Sequence, residues 1–290
     1  MEFALNHIIN PVNIGVESDL HIAQPITFES LKRAKDFSSS KIEVNLLTTQ
    51  FKEDKITIPE GFEVLEDLKG STQTLGLNTS KKLPFIQEII SRAIQRSNAE
   101  DYIIYSNLDI AVQPHFYDFI HSQIENGARG IVINRRTISK QYTSSDELDL
   151  MYKAIGESHP GFDCFIFPVK DFPNFYLEQT LLGANWIGRI LLLNLVAHCQ
   201  PFILFDDEHL TFHIGDDKAW QDPRFSRLHE WNMKILLDFI HLIKSNETIK
   251  SSLLAKTIID RTLQIDSTTN GLICKKILSR LFKKNKKVKN

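Results

Sequence analysis

The sequence predicts an α/β protein with a mostly parallel sheet flanked by helices, and three observations predict it. Short apolar runs alternate with amphipathic stretches of roughly 10 to 15 residues from the start of the chain to about residue 170. The strongest apolar run, DYIIYSNLDI at 101–110, has the near-continuous hydrophobicity of a strand buried on both faces. No internal repeat and no Pro/Gly/Ser-rich linker interrupts the alternation. One domain over 1–245 is therefore expected, followed by a helical, basic C-terminal tail over 246–290.

In chain order, Leu5 to Asn10 is a β-type run closed by Pro11. Thr27 is placed to cap a helix over 28–37, with Glu29 in its first turn. A second strand is expected at 42–48, and polar and turn residues dominate 50–80. A helix over 81–97 precedes the 101–110 strand. A helix over 114–125, a strand at 129–134, a helix over 146–155 and a strand at 162–167 continue the alternation. From 174 onward the pattern turns helical, broken by the strand-like segments PFILF and HLTFHI. The most apolar stretch, 187–205, is interrupted by Arg189, Asn194, His198 and Pro201, which reads as a buried helix followed by a strand and not as a membrane span.

Composition removes several classes. With 12 Gly, 10 Pro and 42% hydrophobic residues, the chain is neither collagenous, nor of low complexity, nor disordered. Cys164, Cys199 and Cys274 are widely spaced and form no CxxC pair, so neither a disulfide framework nor a cysteine zinc site is expected, and a reducing cytoplasm suits the chain. The first ten residues carry no basic region of the kind that opens a secretory signal. Residues 275–290 hold eight Lys and Arg and no acid, so the rest of a chain of net charge −2 carries −10. An acidic body disfavours nucleic acid as its partner. In the tail, Ile273, Ile277 and Leu281 recur every four residues among the lysines, a pattern that fits either a basic amphipathic helix on anionic lipid or a solvated terminus. The expected location is cytoplasmic, peripheral to the inner face of a membrane when the tail engages it.

The glycines nowhere form GxGxxG, GxxxxGK[ST] or GxSxG, which excludes the dinucleotide fingerprint, the P-loop and the serine-hydrolase elbow. A nucleotide diphosphate would then need a carboxylate-held cation to bridge its phosphate oxygens. Asn107 and Asp109 stand where the strongest strand runs out, the place where open α/β sheets bind ligands. Their spacing puts both side chains on one face of an extended chain. Asp109 either reaches a cation there or caps the following turn. In FHIGDDKAW, His213 reads as a structural histidine or as a metal ligand beside acids, Gly215 permits an unusual turn, and Lys218 could meet phosphate. His209, four residues earlier, offers a competing His209/His213 metal pair without a well-spaced third ligand. Asp163 and His159 flank a glycine at a strand mouth, where Asp163 either acts as base for an acceptor hydroxyl or caps the strand. Arg135 and Arg136 follow the strand GIVIN and either clamp phosphate or form salt bridges.

Taken together, NLDIAV resembles the DxDxxV metal motif of GT-A glycosyltransferases, and FHIGDDKAW resembles the HxGxxKPW motif of the retaining glycogenin-like family, which includes bacterial lipopolysaccharide galactosyltransferases. HPGFDCFIFP is loosely similar to the family's FNxGxxxxP segment. The similarity covers roughly residues 80–220, with Asn107 at the first Asp position and Ala219 at the Pro position. It implies a GT-A-like fold in which Asp109 and His213 coordinate Mn²⁺ (or Mg²⁺) and Lys218 contacts the donor diphosphate. Lys82 sits where the family keeps a basic residue for the donor. Glu178 and Asn185 occupy the helix region that carries the family's catalytic or acceptor residues. The expected activity is transfer of a sugar from a nucleotide-diphosphate sugar to the hydroxyl of a glycan or lipid-linked acceptor, with retention preferred. Two alternatives stand beside it: a sugar-phosphate nucleotidyltransferase, and a non-catalytic membrane-docking module with a degenerate glycosyltransferase fold.

Overall fold

Strand β1 (Ala4–Ile9) is buried at every position, including its two polar residues. Such a strand is stable only if its polar atoms find partners. Asn6 donates to Asp101 at 3.3 Å, and the His7 ring meets the Tyr117 hydroxyl at 2.9 Å and the Ser106 hydroxyl at 2.8 Å. The computed structural model in which these contacts occur describes residues 3–54, 56–77, 79, 81–215 and 223–269.

The chain continues through α1 (Leu20–Phe37), β2 (Glu43–Thr48), β3 (Phe62–Val64), α2 (Ile86–Arg96), β4 (Tyr102–Ser106), β5 (Ala111–Val112) and α3 (Phe116–Glu125). Next come β6 (Gly130–Ile133), β7 (Arg136–Ile138), α4 (Leu148–Met151), β8 (Glu157–Ser158) and β9 (Cys164–Pro168). The last elements are α5 (Ile187–His198), β10 (Phe202–Phe205), β11 (Thr211–Ile214), α6 (Ser226–Ile243), α7 (Glu247–Ser251) and α8 (Leu253–Thr269). The chain divides into two units, one ending at Phe239 and one beginning at Ile240. The second unit contains α7, whose Asn246 cap accepts from the amides of Thr248 and Ile249, and α8.

The expected α/β fold with a mostly parallel central sheet is the one observed. Seven strands lie in the order β10-β6-β9-β4-β1-β2-β3, and every neighbour is parallel except across β9, which runs against both β4 and β6. A second, four-stranded sheet has the order β5-β11-β7-β8. The main core joins Leu5, Leu31, Ile104, Phe116, Ile131 and Ile166, and a smaller one joins Ile26, Ala111, Met151 and Phe212 beside the second sheet. Among the described residues no helix is long and apolar enough to cross a membrane. The tail over 275–290 lies outside the described residues.

Local chemistry moved several boundaries. The helix expected to be capped by Thr27 begins at Leu20, because Ala23 and Ile26 on the buried face anchor two further turns despite Pro25, and Thr27 ends up interior and buried. The helix expected over 81–97 begins only at Ile86. Pro84 holds the preceding residue out of the helical region, and Pro84 and Phe85 pair instead with Ser71 and Leu181. β3 lies within the stretch read as turns, and the helix expected over 146–155 shrinks to the single turn α4 behind a capping box of Ser144 and Glu147. The stretch 175–186 is not helical. Glu178 (φ 45°), Gly183 (φ 82°) and Trp186 (φ 79°) adopt left-handed backbone that a right-handed helix cannot contain.

Candidate functional site

The reversal of β9 determines what stands at one end of the central sheet. β4 ends at Ser106 and β6 at Ile133, and both pair there with Cys164, the first residue of β9. Asn107 and Arg135, just past two strand ends, thus meet Asp163, just before a strand start. Arg135 Nη1 donates to Asp163 Oδ1 at 2.7 Å, and the amide of Asn107 donates to the Asp163 carbonyl at 3.4 Å. Both charged side chains are nearly covered, 13% and 7% exposed, so this is a buried ion pair rather than a surface one. Burial pushes the Asp163 carboxyl above its ordinary value, opposed by the charge of Arg135. Asp163 Oδ2 is buried without a hydrogen-bond partner among the described residues, and His159 Nδ1 lies 3.9 Å from it.

The second sheet delivers the other pair. Ala111 and Val112 of β5 run antiparallel to Phe212 and Thr211 of β11, and Asp109, just before β5, meets His213 near the end of β11. His213 Nε2 lies 3.1 Å from Asp109 Oδ2, and its Nδ1 lies 2.6 Å from the carbonyl oxygen of Gly215. A carbonyl only accepts, so Nδ1 carries a proton. Nε2 and the carboxylate then need something positive between them, either a second proton or a cation. Burial alone would push the Asp109 carboxyl up, but the hydrogen bond and charge of His213, with Arg135, hold it below its usual range. Burial likewise pulls the His213 imidazole down, and Asp109 more than reverses this.

This pair fits a divalent cation. Two ligands on adjacent corners of a six-coordinate ion at about 2.1 Å stand about 3 Å apart, close to the observed separation. Asp109 Oδ1 is buried without a hydrogen-bond partner among the described residues, leaving a second donor oxygen. No cluster of three His, Cys, Asp or Glu occurs among the described residues, so Asp109 and His213 are the donors the described residues offer a cation here. Asn107, by contrast, turns its amide oxygen to the Tyr105 hydroxyl at 3.0 Å.

A cleft of about 240 Å³ opens beside the pair, lined by Asp109, His213, Tyr142, Lys81, Lys140 and Asp19 among others. Gly215, with φ 72°, closes the end of β11 through its amide to Ile138. Lys82 does not line this cleft: its ammonium lies over the Phe51 ring at 3.8 Å and bonds Glu53, while its neighbour Lys81 faces the cleft. Arg136 is fully engaged by the carbonyls of Ile155, Gly156 and Asp207 and by the Asp207 carboxylate, which makes it a clamp on two loops. Glu178 is exposed, and the Asn185 backbone is bound by His229 and Asn232; neither lines the cleft. The rival His209/His213 pair is not assembled. His209 lies in the turn before β11, and its Nε2 meets the Gln113 amide at 3.0 Å. Lys218 lies outside the described residues.

Lys81, Lys140, Asp19 and Tyr142 are the cleft residues that sequence reading missed. Lys140 alone carried a signal, since like Arg135 it follows a short β-type run.

No protein-family model matches the sequence, and no curated protein is significantly similar to it. Solved structures with a similar arrangement include S. aureus TarS 1-349 in complex with UDP-GlcNAc, which is 10% identical over 93% of this chain and 75% of that one, with a TM-score of 0.49. The same TarS segment without that ligand is 9% identical over 81% of this chain, and this chain spans 66% of its length, with a TM-score of 0.46. A putative nucleotide-diphospho-sugar transferase from Desulfovibrio desulfuricans G20 is 8% identical over 83% of this chain and 97% of that one, at 0.38. Rv0371C from Mycobacterium tuberculosis H37Rv, in complex with manganese, is 14% identical over 79% and 100%, at 0.36. At such identities and scores no ligand or activity passes to this chain by likeness. Its chemistry rests on its own residues.

Proposed function

We propose that this chain is a GT-A-like glycosyltransferase that moves a sugar from a nucleotide-diphosphate sugar to an acceptor hydroxyl, with Mn²⁺ or Mg²⁺ held by Asp109 and His213. The observation that carries this reading is the approach of His213 Nε2 to Asp109 Oδ2 at 3.1 Å, beside an open cleft, from two motifs 104 residues apart. The resemblance of those motifs to the glycogenin-like branch favours retention.

A bound cation would neutralise charge growing on the departing diphosphate. The chain's own contribution is pre-organisation. β5 and β11 fix the Asp109 and His213 backbones through their pairing, and the Gly215 carbonyl fixes the His213 tautomer so that Nε2 faces the carboxylate. Lys81 at the cleft, and Lys218 in the resembling motif, add positive charge for phosphate. Asp163, the expected base for an acceptor hydroxyl, is held by Arg135 through one oxygen, has its other oxygen buried and does not line the cleft, so in this reading it braces the end of the sheet beside Asp109 instead. The basic tail over 275–290 suits an acceptor met at the cytoplasmic face of a membrane, whether glycan or lipid-linked.

Calorimetric titration of UDP and GDP with and without Mn²⁺, beside Asp109→Ala and His213→Ala, tests this reading. Metal-dependent binding lost in both variants supports it. Failure of a full nucleotide panel to bind would return both residues to a structural role.

A further inference from the structure

We infer that Lys140 anchors the donor's diphosphate, its ammonium held by Asp19 until an anionic ligand displaces that carboxylate; the inference rests on the nucleotide-sugar reading above. Lys140 lies two residues past the end of β7, where the amide of Gly215 donates to the Ile138 carbonyl at 2.8 Å and draws the ends of β7 and β11 together. Its stem crosses directly over Gly215. A Cβ at 215 would stand 2.3 Å from Lys140 Cγ and 2.4 Å from its Cε, closer than any real contact. Gly215 therefore does more than permit a left-handed turn: it leaves the channel in which the lysine stem lies. The stem so placed delivers Nζ to 3.1 Å from Asp19 Oδ2, and both residues line the cleft that holds Asp109 and His213.

The pair has the properties of an exchangeable contact. Its side chains are 58% and 47% exposed, and an ion pair so open to water is weak. A diphosphate carries at least two charges and several acceptor oxygens, so it competes well with the Asp19 carboxylate for the same ammonium. Segment 15–19 before α1 and the loop after β7 are also brought together by this contact.

Titration of Mn²⁺-UDP and Mn²⁺-pyrophosphate into the full chain tests the assignment, with folding of each variant checked by thermal melting. Lys140→Gln should weaken both probes about tenfold or more, the usual result of deleting a hydrogen bond to a charged group. Asp19→Asn should tighten both, because its carboxylate no longer competes for the ammonium, and the double variant should bind as Lys140→Gln alone. A merely structural tie would instead make Asp19→Asn as weak as Lys140→Gln, and that result overturns the inference. So does wild-type affinity in Lys140→Gln while Asp109→Ala fails to bind, an outcome that leaves the transferase reading intact. If neither UDP, GDP nor pyrophosphate binds the wild type with Mn²⁺, the reading and the inference fall together.

Discussion

His213 Nε2 and Asp109 Oδ2 face each other at 3.1 Å while His213 Nδ1 is occupied by a backbone carbonyl, so the space between the two side chains has to hold a positive species. Adding Mn²⁺ to the protein should raise its melting temperature by mass action, and EDTA should reverse the rise. Asp109→Asn and His213→Gln, which preserve shape, should each abolish most of it. Differential scanning fluorimetry across a Mn²⁺ series decides the matter, and an undiminished rise in both variants would place the cation elsewhere.

The buried pair of Arg135 and Asp163 makes a prediction about stability. Removing one partner leaves an uncompensated buried charge, so Asp163→Ala should destabilise the protein by about 3 to 5 kcal/mol. Replacing both residues with apolar ones of similar volume should recover a large part of that loss. Urea midpoints for the single and double variants give the comparison.

His7 supplies the clearest pH dependence. Its ring is enclosed by Tyr117 and Ser106, and burial pushes it from 6.5 down to about 3. Between those values the unfolded chain binds a proton that the folded chain refuses, so stability falls as pH falls through the window. The loss should reach about 2 kcal/mol by pH 5 from this group alone. In His7→Gln the slope of stability against pH from 6.5 to 4 should flatten by up to about 1.4 kcal/mol per unit. An unchanged slope in denaturant titrations would show that the ring is already charged in the fold.

Asn232 is fully buried and holds the loop before α5: its side chain accepts from the Leu181 amide and donates to the carbonyls of Leu181 and Asn185. Asn232→Ala would strand three backbone groups and should cost about 2 to 4 kcal/mol. Hydrogen exchange at Leu181 should speed up most. Uniform acceleration across the first unit would mean that the loop has no separate anchor.

The sheet was legible in the sequence because its strands are short apolar runs in regular alternation, and periodicity reports burial directly. YIIYS and CFIF needed nothing more. The direction of β9 was not legible, since a fully apolar run reads the same either way along a sheet. For the same reason Asp163 could be named from HPGFDCF while its bond to Arg135, 28 residues earlier, could not. The choice between Lys81 and Lys82 was not legible either, since it is decided by Glu53 and the Phe51 ring, distant in sequence, which hold Lys82 away from the cleft. Asp19 escaped notice because a lone surface aspartate resembles every other solvated charge until the fold sets it on the cleft, and Lys140 had only its place after a short β-type run to mark it.

The single reversed strand also matters to a chain still being made. β4 and β6 share no backbone bonds with each other; β9 alone joins them in the central sheet, and it is synthesised after both. Until Cys164 to Pro168 emerges, Tyr102–Ser106 and Gly130–Ile133 present apolar edges with unpaired amides and carbonyls, open to a neighbouring nascent chain. Ribosomes stalled before that segment should yield aggregates, and an early requirement for a chaperone in biogenesis follows from the place of one strand in the order of translation.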